Sequence, residues 1–448
     1  LEEVAVLLRR NAVVLAVAGS LLIAGPAQAQ SQDYPEPSNP GKVQKPPKGK
    51  KKTLRVCKKG CEFKTINAAV KEAKAGWTVK VGNGTYREGV QVNGAGKRYL
   101  KLIGNPKNPD KVLLEGKGLK GIGAQNGVAV NGADEVTVSG FTAQNYLGNG
   151  FFVINANGYT FENLQAYKVG VYGIYAFNTI GGVMRDSEAA WNNDAGFYIG
   201  QTPPQDRPKR SLVTNVRAYG NVLGFSGTNM RYVTITKSEW FNNGAGIVPN
   251  ALTSEKYPPE EFNVITENDI FWNNFNYYEG APFPLRDAAG EATPYPVGVG
   301  VLLFGGRHNV VTKNNVYGNY LMGVGALQQL LLQDESAKDL IGNEVRDNAF
   351  GLNGTDLNGR DLFYDGNGSD NCFGPNVGVQ VTVPANASTM APCPFEGANT
   401  FDSAAQTEAV NWALDPDHEK YWVKHPHAPK PGYTPLEDYD TYTGPKAP

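Results

Sequence analysis

The chain has 448 residues, 53 of them glycine, with a charged fraction of 19% and a formal net charge of −1. This composition suits a turn-rich β protein and argues against a helical one. The balanced charge and four histidines argue against a nucleic-acid partner, and four cysteines are too few for a disulfide scaffold.

Residues 1–29 have the layout of a secretory signal: Arg9 and Arg10, an apolar run from Ala12 to Ala24, then Ala27-Gln28-Ala29. The run is short for a bilayer span, which makes a retained anchor the minor reading. The mature chain is therefore expected to be secreted, without a membrane span, where disulfides survive. Residues 30–53 form a Pro/Lys-rich linker, expected to be extended and mobile. Nine Lys/Arg within residues 30–60 face only Asp33 and Glu36, which makes a cationic arm on a mildly acidic body. Such an arm is a solvated linker or, more sharply, a tether to an anionic polymer.

Cys57 and Cys61 flank a short loop with no further metal ligands nearby, which predicts a small disulfide. Ile66, Ala69, Val70 and Ala73 follow a helical period behind Thr65, a capping residue. One short amphipathic helix is predicted there, placed to cover the first turn of whatever stacks above it. Short strands follow at 77–81, 89–92, 100–104 and 112–116, separated by Gly/Asn turns. Then the sequence repeats. Gly127, Gly150, Gly173 and Gly196 stand 23 residues apart, and the pattern continues less strictly at Gly224, Gly246, Gly298 and Gly323. A period in the twenties built from β-rich runs is the signature of a solenoid. Alternation along each strand points Val128/Val130, Phe151/Val153, Ile174/Ala176, Phe197/Ile199 and Val299/Val301 into the core. Asparagines before each glycine are predicted to be coil corners.

The order of the helix, Gly76-Trp77-Thr78-Val79-Lys80-Val81 and Gly82-Asn83-Gly84-Thr85-Tyr86-Arg87-Glu88 resembles the opening of right-handed parallel β-helix proteins of the pectate-lyase-like superfamily. The resemblance covers roughly residues 54 to 380. It implies an all-β, right-handed parallel β-helix with an N-terminal capping helix, assigned here to residues 54–400. It implies no single activity, because that group includes lyases, hydrolases, esterases, epimerases and proteins without known catalysis.

Interruptions of the period are where function is expected. Inserted loops at 201–210 and 251–262 leave the same corner two coils apart, about 10 Å from each other. They are expected to wall a notch floored by residues 224–231, with a third insertion at 276–296 as a lid. Asp194, Tyr198, Gln201, Asn229, Arg231 and Asn250 should ring it. Glu255, Tyr277, Arg286, Arg307 and His308 lie within reach. Phe152, Tyr175 and Tyr198 share an outward register, and exposed they would make a sugar platform. The paired-Asp, D-F-I-F-G and R-x-P-x-x-R devices of the related enzymes are absent, and Asp415-Pro416-Asp417-His418-Glu419 only approximates D-P-H-D/E.

Toward the end, Asp365, Asn367, Ser369 and Asn371 are spaced like calcium ligands. Asn376 stands where a bidentate Glu belongs, so no cofactor is assigned and Ca²⁺ has no clear motif. Cys372 and Cys393 are expected to be bridged, and residues 401–448 to hold a helix near 404–414 and a Pro/Tyr-rich tail.

The sequence thus points to a secreted polysaccharide-binding protein, a lyase or epimerase acting on an acidic polysaccharide or cell-wall polymer. Asp194, Tyr198 and Arg231 are the catalytic candidates, Tyr198 as base and Arg231 as carboxylate neutraliser, with Arg307 and His308 as the second choice for these two roles. Phe152, Tyr175, Gln201, Asn229, Asn250, Tyr277, Arg307 and His308 are the substrate-binding candidates. For a hydrolase, Asp194 and Glu255 would be the carboxylate pair. The alternative is a non-catalytic surface protein that uses the same flank for adhesion.

Overall fold

The computed structural model describes residues 42–253, 255–275, 277, 295–329, 338–352, 354–386 and 388–414. The signal-like segment, most of the third insertion with Arg286, and the tail beyond 414 lie outside them.

Every strand pair among the described residues is parallel, in one sheet of eighteen strands and one of eleven. Each coil crosses the larger sheet, turns, and crosses the smaller one, so successive coils stack as a parallel β-helix, right-handed as parallel β-crossovers are. One coil shows the plan: Val233–Thr236, the left-handed Lys237 (φ 52°), Glu239–Phe241, then Ala245–Asn250 on the eleven-stranded face. Lys237 lies in a column of left-handed residues with Asn163, Asp186, Asn215, Glu267, Lys313 and Asp347, which divides the larger sheet in two.

The 23-residue period has a steric cause at its glycines. A Cβ on Gly127 would stand 2.6 Å from the Gly150 carbonyl oxygen and 2.8 Å from the Ala143 Cβ. Gly173 meets the Gly196 oxygen at 2.5 Å, so any side chain here would collide with the next coil. Inward from these glycines, Phe151, Ile174, Phe197, Phe225, Ile247, Val301 and Val324 form one fully buried column. One expected pair divides here. Val301 faces inward, but Val299 pairs with Ala245 and Met322 in the outer apolar cluster. The column glycine is therefore Gly300, not Gly298, because the long insertion offsets the count by two residues.

Asparagines stack at the corners. Asn221, Asn243, Asn273 and Asn319 each accept a backbone N–H from the preceding coil, and pass an Nδ2 hydrogen to the next Oδ1 at 3.0 to 3.1 Å. Parallel ladders run through Asn263, Asn309, Asn343 and Asn371 and through Asn268, Asn314, Asn348 and Asn376. They satisfy amides that a corner would otherwise bury unpaired.

The predicted helix is α1 (Ile66–Glu72), with Thr65 accepting from the Ala68 amide at 3.3 Å. The Glu88 carboxylate accepts from the Ile66 and Asn67 amides at 2.8 and 2.9 Å, which ties the Gly84–Glu88 turn to the helix start. Ile66, Ala69 and Val70 join the core beside Leu54 and Val79. The described end of the basic linker is docked rather than free. The Gln44 amide donates to Asp134 at 2.9 Å, and the Lys45 carbonyl accepts from Arg98 at 3.0 Å. Cys57–Cys61 and Cys372–Cys393 are both bridged. A C-terminal helix, α2 (Ser403–Leu414), packs Ala405 against the outer cluster and pairs Glu408 with Arg360. Among the described residues no helix is long and apolar enough to cross a membrane.

Candidate functional site

The loops at 201–210 and 251–262 do leave one corner, and they meet. Gln201 Oε1 accepts from the Lys256 amide at 3.0 Å. Asn229 binds both sides of the second loop, donating to the Leu252, Glu255 and Lys256 carbonyls at 2.7, 3.0 and 3.1 Å and accepting from the Leu252 amide at 3.0 Å. Asn250 is closed off against Thr228 and Val248. The expected notch is therefore filled: residues 224–231 are all buried.

Arg231 has a structural task there. Its side chain is 6% exposed, with Nε on Glu261 at 2.7 Å and Nη1 on the Thr202 and Tyr257 carbonyls at 3.2 and 2.5 Å. All these contacts fasten the two loops together, and they occupy the guanidinium expected to meet a substrate carboxylate.

Phe152, Tyr175 and Tyr198 share the outward register, as Phe152↔Tyr175↔Tyr198 pairing shows, but they are not an exposed row. They are 8%, 3% and 1% exposed, inside an outer apolar cluster with Tyr172, Phe177, Val248 and Leu302. An outward strand position predicts direction, and cover comes from elsewhere in the chain. Phe152 and Tyr175 stack at 4.6 Å, while Tyr172 lies 4.6 Å from Tyr175 and 4.5 Å from Tyr198.

Polar chemistry enters this cluster at one point. The Tyr198 hydroxyl donates to Glu255 Oε1 in a short hydrogen bond, and both residues are buried. Among the described residues Glu255 Oε2 has no hydrogen-bond partner. Burial pushes the Glu255 carboxyl up to about 8; the Tyr198 bond opposes this, and the negative charge of Asp194 adds to it. Tyr198 and Tyr172 are driven well above the ordinary tyrosine value, first by burial and then by neighbouring negative groups. Asp194 is the part-exposed member. The structure thus brings Asp194, Tyr198 and Glu255 together with Tyr172, and ties Gln201, Asn229 and Arg231 to the loop that carries Glu255. Tyr172 escaped the sequence reading because it lies in a turn, one residue before its column glycine.

Tyr277 has a separate role. Its hydroxyl donates to the Tyr295 carbonyl at 2.6 Å and accepts from the Tyr295 amide at 3.0 Å, closing the base of the third insertion. Arg307 and His308 lie at the loop corner, one coil beyond Glu261. The residues spaced like calcium ligands are held internally: Asp365 accepts from the Gln328 and Asn367 amides at 2.9 and 3.0 Å, and Asn371 is a rung of an asparagine ladder.

Residues 126–277 match the family model described as "Right handed beta helix region". No curated protein matches the sequence. Similar solved structures include the A-module of the Azotobacter vinelandii mannuronan C-5 epimerase AlgE4, at 15% identity over 71% of this chain and 90% of that one, with a TM-score of 0.47. Pectate lyase Pel9A is similar at 15% identity over 76% and 80%, TM-score 0.40. The alginate lyase from Paenibacillus sp. str. FPU-7 is similar at 14% over 70% and 97%, TM-score 0.41.

Proposed function

We propose that this right-handed parallel β-helix is a secreted, carbohydrate-active protein that acts on an acidic polysaccharide as a lyase or epimerase. The observation that carries this reading is the buried Glu255–Tyr198 pair, with one carboxyl oxygen unpartnered and Asp194 on its part-exposed side. A carboxyl poised near 8 can take a proton and return it close to neutral pH. Lyase and epimerase share their first step, removal of the proton beside a uronate carboxylate. In this scheme the ionised form of Glu255 takes that proton at Oε2, which the 251–262 loop must uncover to the sugar, while Tyr198 fixes Oε1 and so orients the carboxyl. Tyr198 itself, with its pKa raised, serves better as a donor than as the base. Two disulfides support an oxidising, extracellular setting.

The Asp194–Glu255 pair also favours a second reading. One carboxyl whose pKa is raised by burial beside a second, part-exposed carboxyl is the kind of pair used in glycoside hydrolysis. Incubating the protein with alginate, polygalacturonate and neutral glucans separates the cases. Unsaturated uronate absorbance reports a lyase, an altered epimer ratio by NMR an epimerase, and new reducing ends without that absorbance a hydrolase. Glu255→Gln should abolish whichever product appears. Retention of polymer with no product from the wild-type protein would leave adhesion as the function.

A further inference from the structure

We propose that the loop corner carries an anion-binding subsite centred on Arg307, which takes a carboxylate of an anionic glycan. This deepens the proposed function by locating where a carboxylate of its ligand is held, and rests on that reading for the choice of a glycan.

Arg231, Glu261 and Arg307 occupy one column in three consecutive coils. The single anion of this trio is already matched, since Glu261 Oε1 holds Arg231 Nε at 2.7 Å. The adjacent carboxyl, Glu260, is fully buried and turned inward to the Nδ2 groups of Asn263 and Asn309 at 2.8 and 3.0 Å. Arg307 is left with no ion pair and no side-chain hydrogen bond among the described residues. Its Nε is shut off from solvent without an acceptor, while the residue as a whole stays part-exposed. A guanidinium so placed keeps its outer nitrogens for a planar, two-pronged acceptor.

The surroundings favour the same sign of ligand. Tyr232, Phe262 and His308 form the next column and stack at 5.4 and 5.0 Å with interplanar angles of 2° and 11°. Left-handed backbone at all three (φ 55°, 58° and 52°) sets them in register. Stacked rings turn their edges outward, and a ring edge carries the positive part of the quadrupole. Arg210, exposed, anchors Nη1 on the Phe262 carbonyl at 2.9 Å. The acidic group facing His308 is Asp370, which already accepts from the Gly397 amide at 2.7 Å and from Ser369 at 3.0 Å. The corner therefore presents Arg210, Arg307 and a positive ring rim over about three coils, with its carboxylates engaged elsewhere.

Calorimetric titration of the full chain with oligogalacturonate and oligomannuronate, and with cello-oligosaccharide and dextran sulfate as controls, tests this. The uronates should bind, more weakly as salt rises. Arg307→Ala should weaken them at least about tenfold, Arg307→Lys should recover part of the loss, and melting should stay at the wild-type temperature. If Arg307→Ala melts early, Arg307→Gln, which keeps the side-chain volume, carries the comparison. Wild-type affinity in the alanine or glutamine variant overturns the subsite. So does equal binding of cello-oligosaccharide, binding of dextran sulfate alone, or no binding of any uronate. Turnover in the same samples is read separately. Lost binding in the variant with no product from wild type keeps the subsite and removes the catalytic reading, whereas product with unchanged affinity does the reverse.

Discussion

Glu255 holds its proton because burial disfavours its charged form; the Tyr198 hydroxyl offsets only part of that cost, and the negative charge of Asp194 adds to it. The folded-state pKa lies above the unfolded one, so the folded protein binds the proton more tightly. The resulting stability is complete below about pH 4.5 and is lost progressively as pH rises to about 8. Thermal melts of wild type and Glu255→Gln across this window should show the wild type falling relative to the variant; parallel curves would place Glu255 in water. Arg231 supports a second expectation. Removing one partner of a nearly buried ion pair strands the other, so Arg231→Ala should cost about 3–5 kcal/mol in denaturant unfolding, far more than a surface arginine would. Sequence spacing located both residues at the loop corner, since loop lengths can be counted. It could not show that Arg231 faces the Thr202 and Tyr257 carbonyls, or that Glu255 is buried, because both depend on how two loops far apart in the chain fold against each other.

At the level of the coil, the repeat was legible wherever packing writes itself into residue type. A side chain at Gly173 would sit 2.5 Å from a backbone oxygen, whereas one at Gly96 would meet nothing within 4 Å. Gly173→Ala should therefore destabilise by about 1–3 kcal/mol in chemical denaturation, and Gly96→Ala should leave the midpoint nearly unchanged. Similar losses in both would remove the steric account of the period. The same logic explains the slip at Gly298. Glycine also serves a left-handed turn there (φ 90°), and sequence alone does not distinguish that use from a close approach. Asparagine at the corners was readable for the opposite reason, because few other side chains can both accept from one coil and donate to the next. The aromatic row was half legible: alternation fixed the outward direction of Phe152 and Tyr175, but not their burial.

Across the whole molecule, each coil touches chiefly its two neighbours, so stability should be greatest where both are present. Native-state hydrogen exchange should show amides between Asn149–Ile154 and Met322–Leu327 opening only with global unfolding. Those in Thr53–Val56 and Thr382–Val383 should open earlier, and uniform protection would mean that the stack melts as one block. The two ends differ in their protection. The first coil has α1 held down by Glu88, while the last coils have the Cys372–Cys393 bridge, and α2 fixed by the Arg360–Glu408 pair.

The constant pitch between Gly127 and Gly196 has a further consequence for how such a chain can change. Excising residues 150–172 would set Gly173 directly above Gly127, with glycine again over glycine, and an inward hydrophobe again over an inward hydrophobe. The polypeptide can thus be shortened or lengthened in whole cassettes at little cost to its interior, while a splice of any other size must be taken up by a loop at a corner, as the insertions at 201–210 and 251–262 are, to keep later rungs in phase. Duplication can then move a binding feature along the axis without redesigning the scaffold that carries it.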